Sequence, residues 1–149
     1  MLRKALALTL LVLALGAPAA ETCTWDSAAE RYAVNAQVLY AIAVQESSLN
    51  PGVINKNTNG THDIGLMQIN SRWLPYLSKF GITSTHLLEP CLNLHVGAHI
   101  LALSMARYGN TWQAIGAYHS TTPALRDRYA LSIYRRLSRL GVVPKLPAS

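Results

Sequence analysis

Of the seven acidic side chains in this 149-residue sequence, two stand where they could act on a substrate. Glu46 closes an apolar run, Ala41-Ile42-Ala43-Val44-Gln45-Glu46. A carboxyl at that point is partly withdrawn from water, which raises its pKa and keeps it protonated near neutrality, as a general acid requires. The residues themselves leave open the alternative of an ordinary exposed or paired Glu in the last turn of a helix. Asp63 lies in a polar stretch just ahead of Gly65 and follows His62. A His62–Asp63 catalytic pair lacks the GxSxG elbow that would carry a nucleophile, and turn polarity accounts for both residues equally well. Glu21, Asp26, Glu30, Glu89 and Asp127 fall at chain starts, helix ends or polar first turns, where capping or solvation explains them.

His95 and His99 are four apart, the spacing that puts two ligands on one helix face. No Glu lies between them and no third ligand follows, so polar edges on a core helix are the better reading, and neither a metal nor a cofactor is expected. On the last helix Arg128, Arg135 and Arg139 recur on one face. A solvated basic face is the default, and an anionic partner outside the cytoplasm is the sharper option. Nucleic acid is not expected, because the chain lacks interleaved aromatics and reads as exported.

Export is read from the first nineteen residues: basic Arg3-Lys4, an apolar stretch from Ala5 to Leu15, then Ala17-Pro18-Ala19. The pattern is that of a secretory signal peptide cleaved after Ala19. Its destination oxidises thiols, so the two cysteines, Cys23 and Cys91, are expected to form one disulfide. With half its residues apolar and 13% charged, the remainder has the composition of one folded domain, not of a disordered chain. That domain is taken as residues 22–141, followed by a flexible tail, 142–149, that contains Pro144 and Pro147.

Helical patterning must position Glu46. Asp26 or Ser27 can cap a first helix, with Glu30 completing a capping box on Ser27. Asn35 breaks that run. Gln37 to Ser47 forms a second helix, apolar nearly all round and therefore buried, which Asn50-Pro51-Gly52 ends. Asn59-Gly60 marks a tight turn and a small β-hairpin over residues 53–64. Helices follow over Leu92–Tyr108, stopped by Gly109, over Trp112–Tyr118, and from Pro123 to about Leu140. The fold class is mainly α with one small hairpin.

Three segments in order resemble the soluble lytic transglycosylase family. Gln45-Glu46-Ser47-Ser48-Leu49-Asn50-Pro51, with the apolar turn before it, is similar to the family's Glu-Ser motif. Gly65-Leu66-Met67-Gln68-Ile69-Asn70 resembles its second motif, and Ala114-Ile115-Gly116-Ala117-Tyr118 the start of its third. The closest likeness is to small members associated with secretion systems, pili and conjugation. The resemblance implies a goose-type-lysozyme-like fold, with the hairpin beside a cleft, and cleavage of the β-1,4 bond between N-acetylmuramic acid and N-acetylglucosamine in peptidoglycan. It implies a monomer acting in the periplasm, with glycan strands and an envelope-spanning apparatus as partners.

By the same resemblance Glu46 is the single catalytic acid and Ser47 helps to orient it. Met67 and Gln68 line the cleft, Tyr118 sits near the acid, and Tyr129 is a further tyrosine that hydrogen-bonds it. His119 departs from the Asn usual in the third motif; an imidazole keeps one donor and one acceptor there but titrates near neutrality. Asp63 suggests an alternative, hydrolysis by a lysozyme-like muramidase with Asp63 as second carboxylate. A peptidoglycan-binding scaffold without turnover is the remaining one.

Overall fold

The structure is a computed structural model that describes residues 23–145. The expected signal peptide lies outside the described residues. Helix α1 (Trp25–Tyr32) is started by Thr24, whose hydroxyl accepts the Ser27 N–H at 3.0 Å while the Ser27 hydroxyl accepts the Thr24 N–H at 3.0 Å. The capping box therefore sits one turn ahead of the Ser27–Glu30 pair expected from sequence. Cys23, immediately before the cap, is bonded to Cys91 with 5.7 Å between their Cα atoms, as the cysteine count anticipated. That bond fixes where the chain enters the domain, and Thr24 is the first capping residue after it.

Helix α2 (Ala36–Ser47) begins at Asn35, whose side chain accepts from the N–H groups of Gln37 and Val38 at 2.8 and 3.1 Å. The residue expected only to break α1 is thus the cap of α2. Val38, Leu39, Ala41, Ile42 and Ala43 are buried, and α2 packs against α1, the long helix α4 (Pro90–Tyr108) and the last helix α6 (Pro123–Arg139). Ser48 and Leu49, both in left-handed backbone at φ 52° and 65°, turn the chain sharply away directly after Glu46 and Ser47. Helix α5 (Trp112–His119) lies between α4 and α6. Its Gly116 meets the Arg126 backbone so closely that a Cβ would collide with the Arg126 carbonyl.

The expected hairpin is two-thirds of a three-stranded antiparallel sheet in the order β1-β2-β3. Strand β1 (Ile54–Lys56) pairs with β2 (His62–Ile64), Asn55 opposite Asp63; β3 (Ile69–Asn70) pairs with the other edge of β2, Asn70 opposite Asp63. A two-residue strand inside an apolar segment carries no legible period-2 signal, which is why β3 is missing from the sequence reading. A short helix, α3 (Leu74–Leu77), and 3₁₀ turns at 71–73, 78–80 and 86–88 lead to α4.

One buried amide joins sheet and helices. Asn93 on α4 is fully buried. Its Oδ1 accepts the Met67 N–H at 2.7 Å, and its Nδ2 donates to the carbonyls of Ile64 at 2.8 Å and Leu87 at 2.7 Å. Gly65, at φ 77°, passes so near Asn93 that a Cβ would lie 2.5 Å from Nδ2, so only glycine fits. At the C-terminal end the first residues of the expected flexible tail are tied down. Val142 and Val143 pack on the core, and the Tyr134 hydroxyl donates to the Pro144 carbonyl at 2.9 Å.

Replacing Asn93 by Leu keeps the branched shape but strands one backbone N–H and two carbonyls in the core. The variant is expected to lose about 3 kcal/mol, read as a lower denaturant midpoint at unchanged slope. An unchanged midpoint would show that the amide does not hold the turn.

Candidate active site

Glu46 reaches the protein surface at the end of α2, on the floor of a cleft of about 400 Å³ bounded by the sheet, the 71–73 turn and the end of α5. Burial withdraws its carboxyl from water and raises its pKa from 4.5 to about 7. The Tyr129 hydroxyl donates to Oε1 and opposes that shift; the negative charge of Asp63 adds to it. Near neutral pH the carboxyl is therefore a proton donor with a base's affinity for the proton's return. Tyr129 and Tyr118 both have hydroxyls pushed well above 10, by burial first and then by Glu46, so both remain neutral donors.

The elements explain these positions. Tyr129 is on the buried face of α6, one turn below the Gly116 crossing that brings α5 against α6. The same crossing lays the His119 ring over the Tyr129 ring, with centroids 4.9 Å apart and planes 2° from parallel. Tyr118, adjacent on α5, lines the cleft and donates to the Met67 carbonyl at 2.8 Å. Gln68 also lines the cleft, in left-handed backbone at φ 50°. Its side chain secures that conformation, donating to the carbonyls of Gly65 and Val53 at 2.9 and 3.1 Å and accepting from Asn55 at 2.8 Å.

Asp63 faces the same cleft from the middle strand. Asn57 donates to Oδ2 at 2.8 Å and Asn70 to Oδ1 at 2.7 Å, so each oxygen is oriented by an amide.

Neither Met67, expected to line the cleft, nor Ser47, expected to orient Glu46, reaches the cleft. Met67 is fully buried, with its side chain packed over Gly97 on α4 at a distance no Cβ there would permit. Its contribution to the site is its backbone, which takes the Asn93 and Tyr118 hydrogen bonds. Ser47 is buried too, and its hydroxyl donates to the Leu66 carbonyl at 2.7 Å. It fastens the end of α2 to the 65–68 turn instead of contacting sugar or Glu46. Conversely, Asn57, Asn70, Arg72, Trp73 and Ile100 line the cleft and were not singled out from sequence. The Asn55/Asn57 alternation, one strand face at period two, was the available signal for the amides; Arg72 and Trp73 lie in the 71–73 turn, which no motif or apolar period marks. His95 and His99 pack against the Tyr32 ring, and His99 Nε2 shares a hydrogen bond with the Tyr76 hydroxyl at 3.0 Å.

A cleft flanked by a short sheet, with one uncharged carboxyl at its floor, is the arrangement by which lysozyme-like proteins cut glycans through acid catalysis. The fold agrees: an inactive variant of the lytic transglycosylase Slt from Pseudomonas aeruginosa superposes with a TM-score of 0.60 at 20% identity, over 80% of this chain and 24% of that one. The sequence profile of the transglycosylase SLT domain matches residues 23–132, and the chain belongs to that family, the peptidoglycan lytic transglycosylases. It is 43% identical over 129 residues to invasion protein IagB of Salmonella typhi, covering 81% of each chain. It is 39% identical over 126 residues to protein IpgF of Shigella flexneri, covering 81% of this chain and 83% of that one. Identity to the X polypeptide of Escherichia coli is 33% over 121 residues, 76% of this chain and 72% of the other.

The raised pKa has a measurable consequence for stability. Below about pH 4.5 the folded and unfolded chains both carry the proton on Glu46. Between about pH 4.5 and 7 only the folded chain holds it, so stability falls as pH rises through that window, by a total on the order of 3 kcal/mol. Glu46→Gln removes the ionisation and retains an acceptor for Tyr129. Thermal melts should show the variant more stable than wild type above about pH 7 and nearly equal to it at about pH 4. A constant difference at both pH values would contradict the buried-acid assignment.

Proposed function

We propose that this protein cleaves the β-1,4 bond between N-acetylmuramic acid and N-acetylglucosamine with closure of a 1,6-anhydro ring, opening local gaps in the wall for a secretion, pilus or conjugation apparatus. The observation that carries the chemistry is the single uncharged carboxyl, Glu46, with a pKa of about 7 on the cleft floor. Glu46 gives its proton to the glycosidic oxygen as the bond from C1 breaks. The carboxylate then takes the proton of the muramic 6-hydroxyl, whose oxygen bonds to C1. The proton leaves and returns to one group, and water is not consumed. A pKa near the working pH suits a group with both duties.

Around this step, Tyr129 stabilises the carboxylate in its ionised half-cycle. Tyr118 presents its ring to the sugar while its hydroxyl keeps the 65–68 turn in place. Gln68 shapes the cleft wall through its backbone and packed amide. Asp63 supplies a fixed negative charge that favours the cationic character developing at C1 and helps to keep Glu46 protonated. His119 stands at the cleft edge and presses on Tyr129. The envelope role is supported by the likeness to a protein named for invasion, and a periplasmic site of action by the chemistry of the substrate and the signal-like first nineteen residues.

A second reading draws on Asp63. Because it lines the same cleft, it is placed to activate a water and convert the reaction to hydrolysis. Digesting purified peptidoglycan separates the two by product mass. Transglycosylation is expected: muropeptides one water lighter than hydrolytic ones, lost by at least about a hundredfold in Glu46→Gln. Reducing-end products abolished by Asp63→Asn would establish hydrolysis instead, and binding without product would leave a scaffold.

The hydrogen bond from Tyr129 lowers the Glu46 pKa, so its removal raises it. In Tyr129→Phe the alkaline limb of the rate profile, at about pH 7 in wild type, should move to higher pH as kcat falls. A limb that stays put would mean that Tyr129 does not bear on the titrating acid.

A further inference from the structure

Glu46 and His119 line two cavities, not one. The second, about 300 Å³, lies on the side away from the sheet. Its floor is a stripe of α6 formed by Leu125, Arg128, Tyr129 and Ser132, spaced three, four and seven residues from the first, and its far wall is Gln45 beside Glu46. A glycan bound across the acid must extend to both sides of it, so this groove takes the part of the strand that the sheet-side cleft does not.

The two sides differ in charge. The sheet side carries Asp63 and Arg72, whose charges offset each other, among several amides. In the α6 groove the one permanently charged lining residue is Arg128, and Arg136 stands at its wall, donating through Nη2 to Gln45 at 2.9 Å. Arg128 is exposed and, among the described residues, has neither a salt bridge nor a hydrogen-bond partner. Arg126, two residues away, is paired with Asp127 at 2.8 Å, so the neighbouring acid is already engaged. A free guanidinium at a groove wall binds carboxylates in bidentate fashion.

On a peptide-bearing strand the lactyl carboxyl of muramic acid is consumed in the amide bond to the peptide, so the free carboxylates lie on the peptide; removing the peptide frees the lactyl carboxylate. Resting on the transglycosylase reading above, we infer that the α6 groove is a stem-peptide site, in which Arg128 binds a peptide carboxylate and makes the protein select peptide-bearing strands over bare glycan.

The test compares initial cleavage rates on intact sacculi and on the same glycan stripped of its peptides by an amidase, the lactyl carboxyls so freed being capped as methylamides, for wild type, Arg128→Ala, Arg128→Lys and Arg135→Ala. Arg135 is exposed on the same helix and does not line the groove. Wild type is expected to prefer the intact substrate, and Arg128→Ala to lower the intact-to-stripped ratio about tenfold, the size of one charge-assisted hydrogen bond partly exposed to water. Arg128→Lys should keep part of the preference and Arg135→Ala all of it. Because the readout is a ratio, a general loss of folding or turnover cancels. A wild-type ratio near unity, or one that Arg128→Ala leaves unchanged, would overturn the inference while leaving the transglycosylase reading intact. Wild type inactive on both substrates would overturn that reading as well.

Discussion

Withdrawing a carboxyl from water without making it unreactive is the demand that organises this domain. Glu46 ends a helix whose preceding turns are sealed by α1, α4 and α6, so the carboxyl emerges from the core with little solvent around it. A cation placed against it would have repaid the burial but driven the proton off. The partner is a neutral donor, the Tyr129 hydroxyl, which moderates the shift without abolishing it. Burial, one hydrogen bond and the more distant charge of Asp63 together set a value near neutrality. Each acts from a different element, so the acid is tuned only when α2, α6 and the sheet are all in place.

Such tuning requires that the elements not drift, and much of the chain is given to preventing that. The 65–70 segment looks from its residues like a substrate-binding loop, but most of its bonds face inward. Asn93 holds it through Met67 and Ile64, Ser47 holds it through Leu66, and Tyr118 holds it through the Met67 carbonyl. Gly65 and Gly97 remove the atoms that would keep it off α4. The result is a rigid wall from which Gln68 alone of the expected pair shows a side chain to the cleft. Met67 and Ser47 serve the chemistry by fixing the distance between the acid's helix and that wall.

The opposite wall is made by α5 and α6 meeting at Gly116. That contact lets His119 lie flat on Tyr129, so a residue at the cleft edge bears on the ring that holds the acid. The cleft is thereby divided into a sheet side with amides, the Asp63 carboxylate and Arg72, and a helix side whose one charged lining cation is Arg128. A polymer with neutral sugars and anionic branches meets different chemistry on either side of the bond to be cut.

Much of this was legible in the residue string because it depends on local pattern. The buried character of α2, the half-buried acid at its end, the turn at Asn59-Gly60 and the helix stop at Gly109 follow from apolar periodicity and turn chemistry, which are properties of adjacent residues. The disulfide followed from there being two cysteines to pair. What the string could not disclose is which side chains face inward once the elements meet. Met67 and Ser47 have the same motif neighbours whether they point to sugar or to core, and only the approach of α4 and the 65–68 turn decides. Strand β3 exists because β2 offers it an edge, Thr24 caps α1 because the chain enters at a disulfide, and the second groove exists because α6 passes behind the acid. These are long-range contacts, and their geometry is set by packing between segments far apart in sequence. The sequence by itself determined that a carboxyl would close a buried helix; the tertiary structure decided what surrounds it, and with that its pKa.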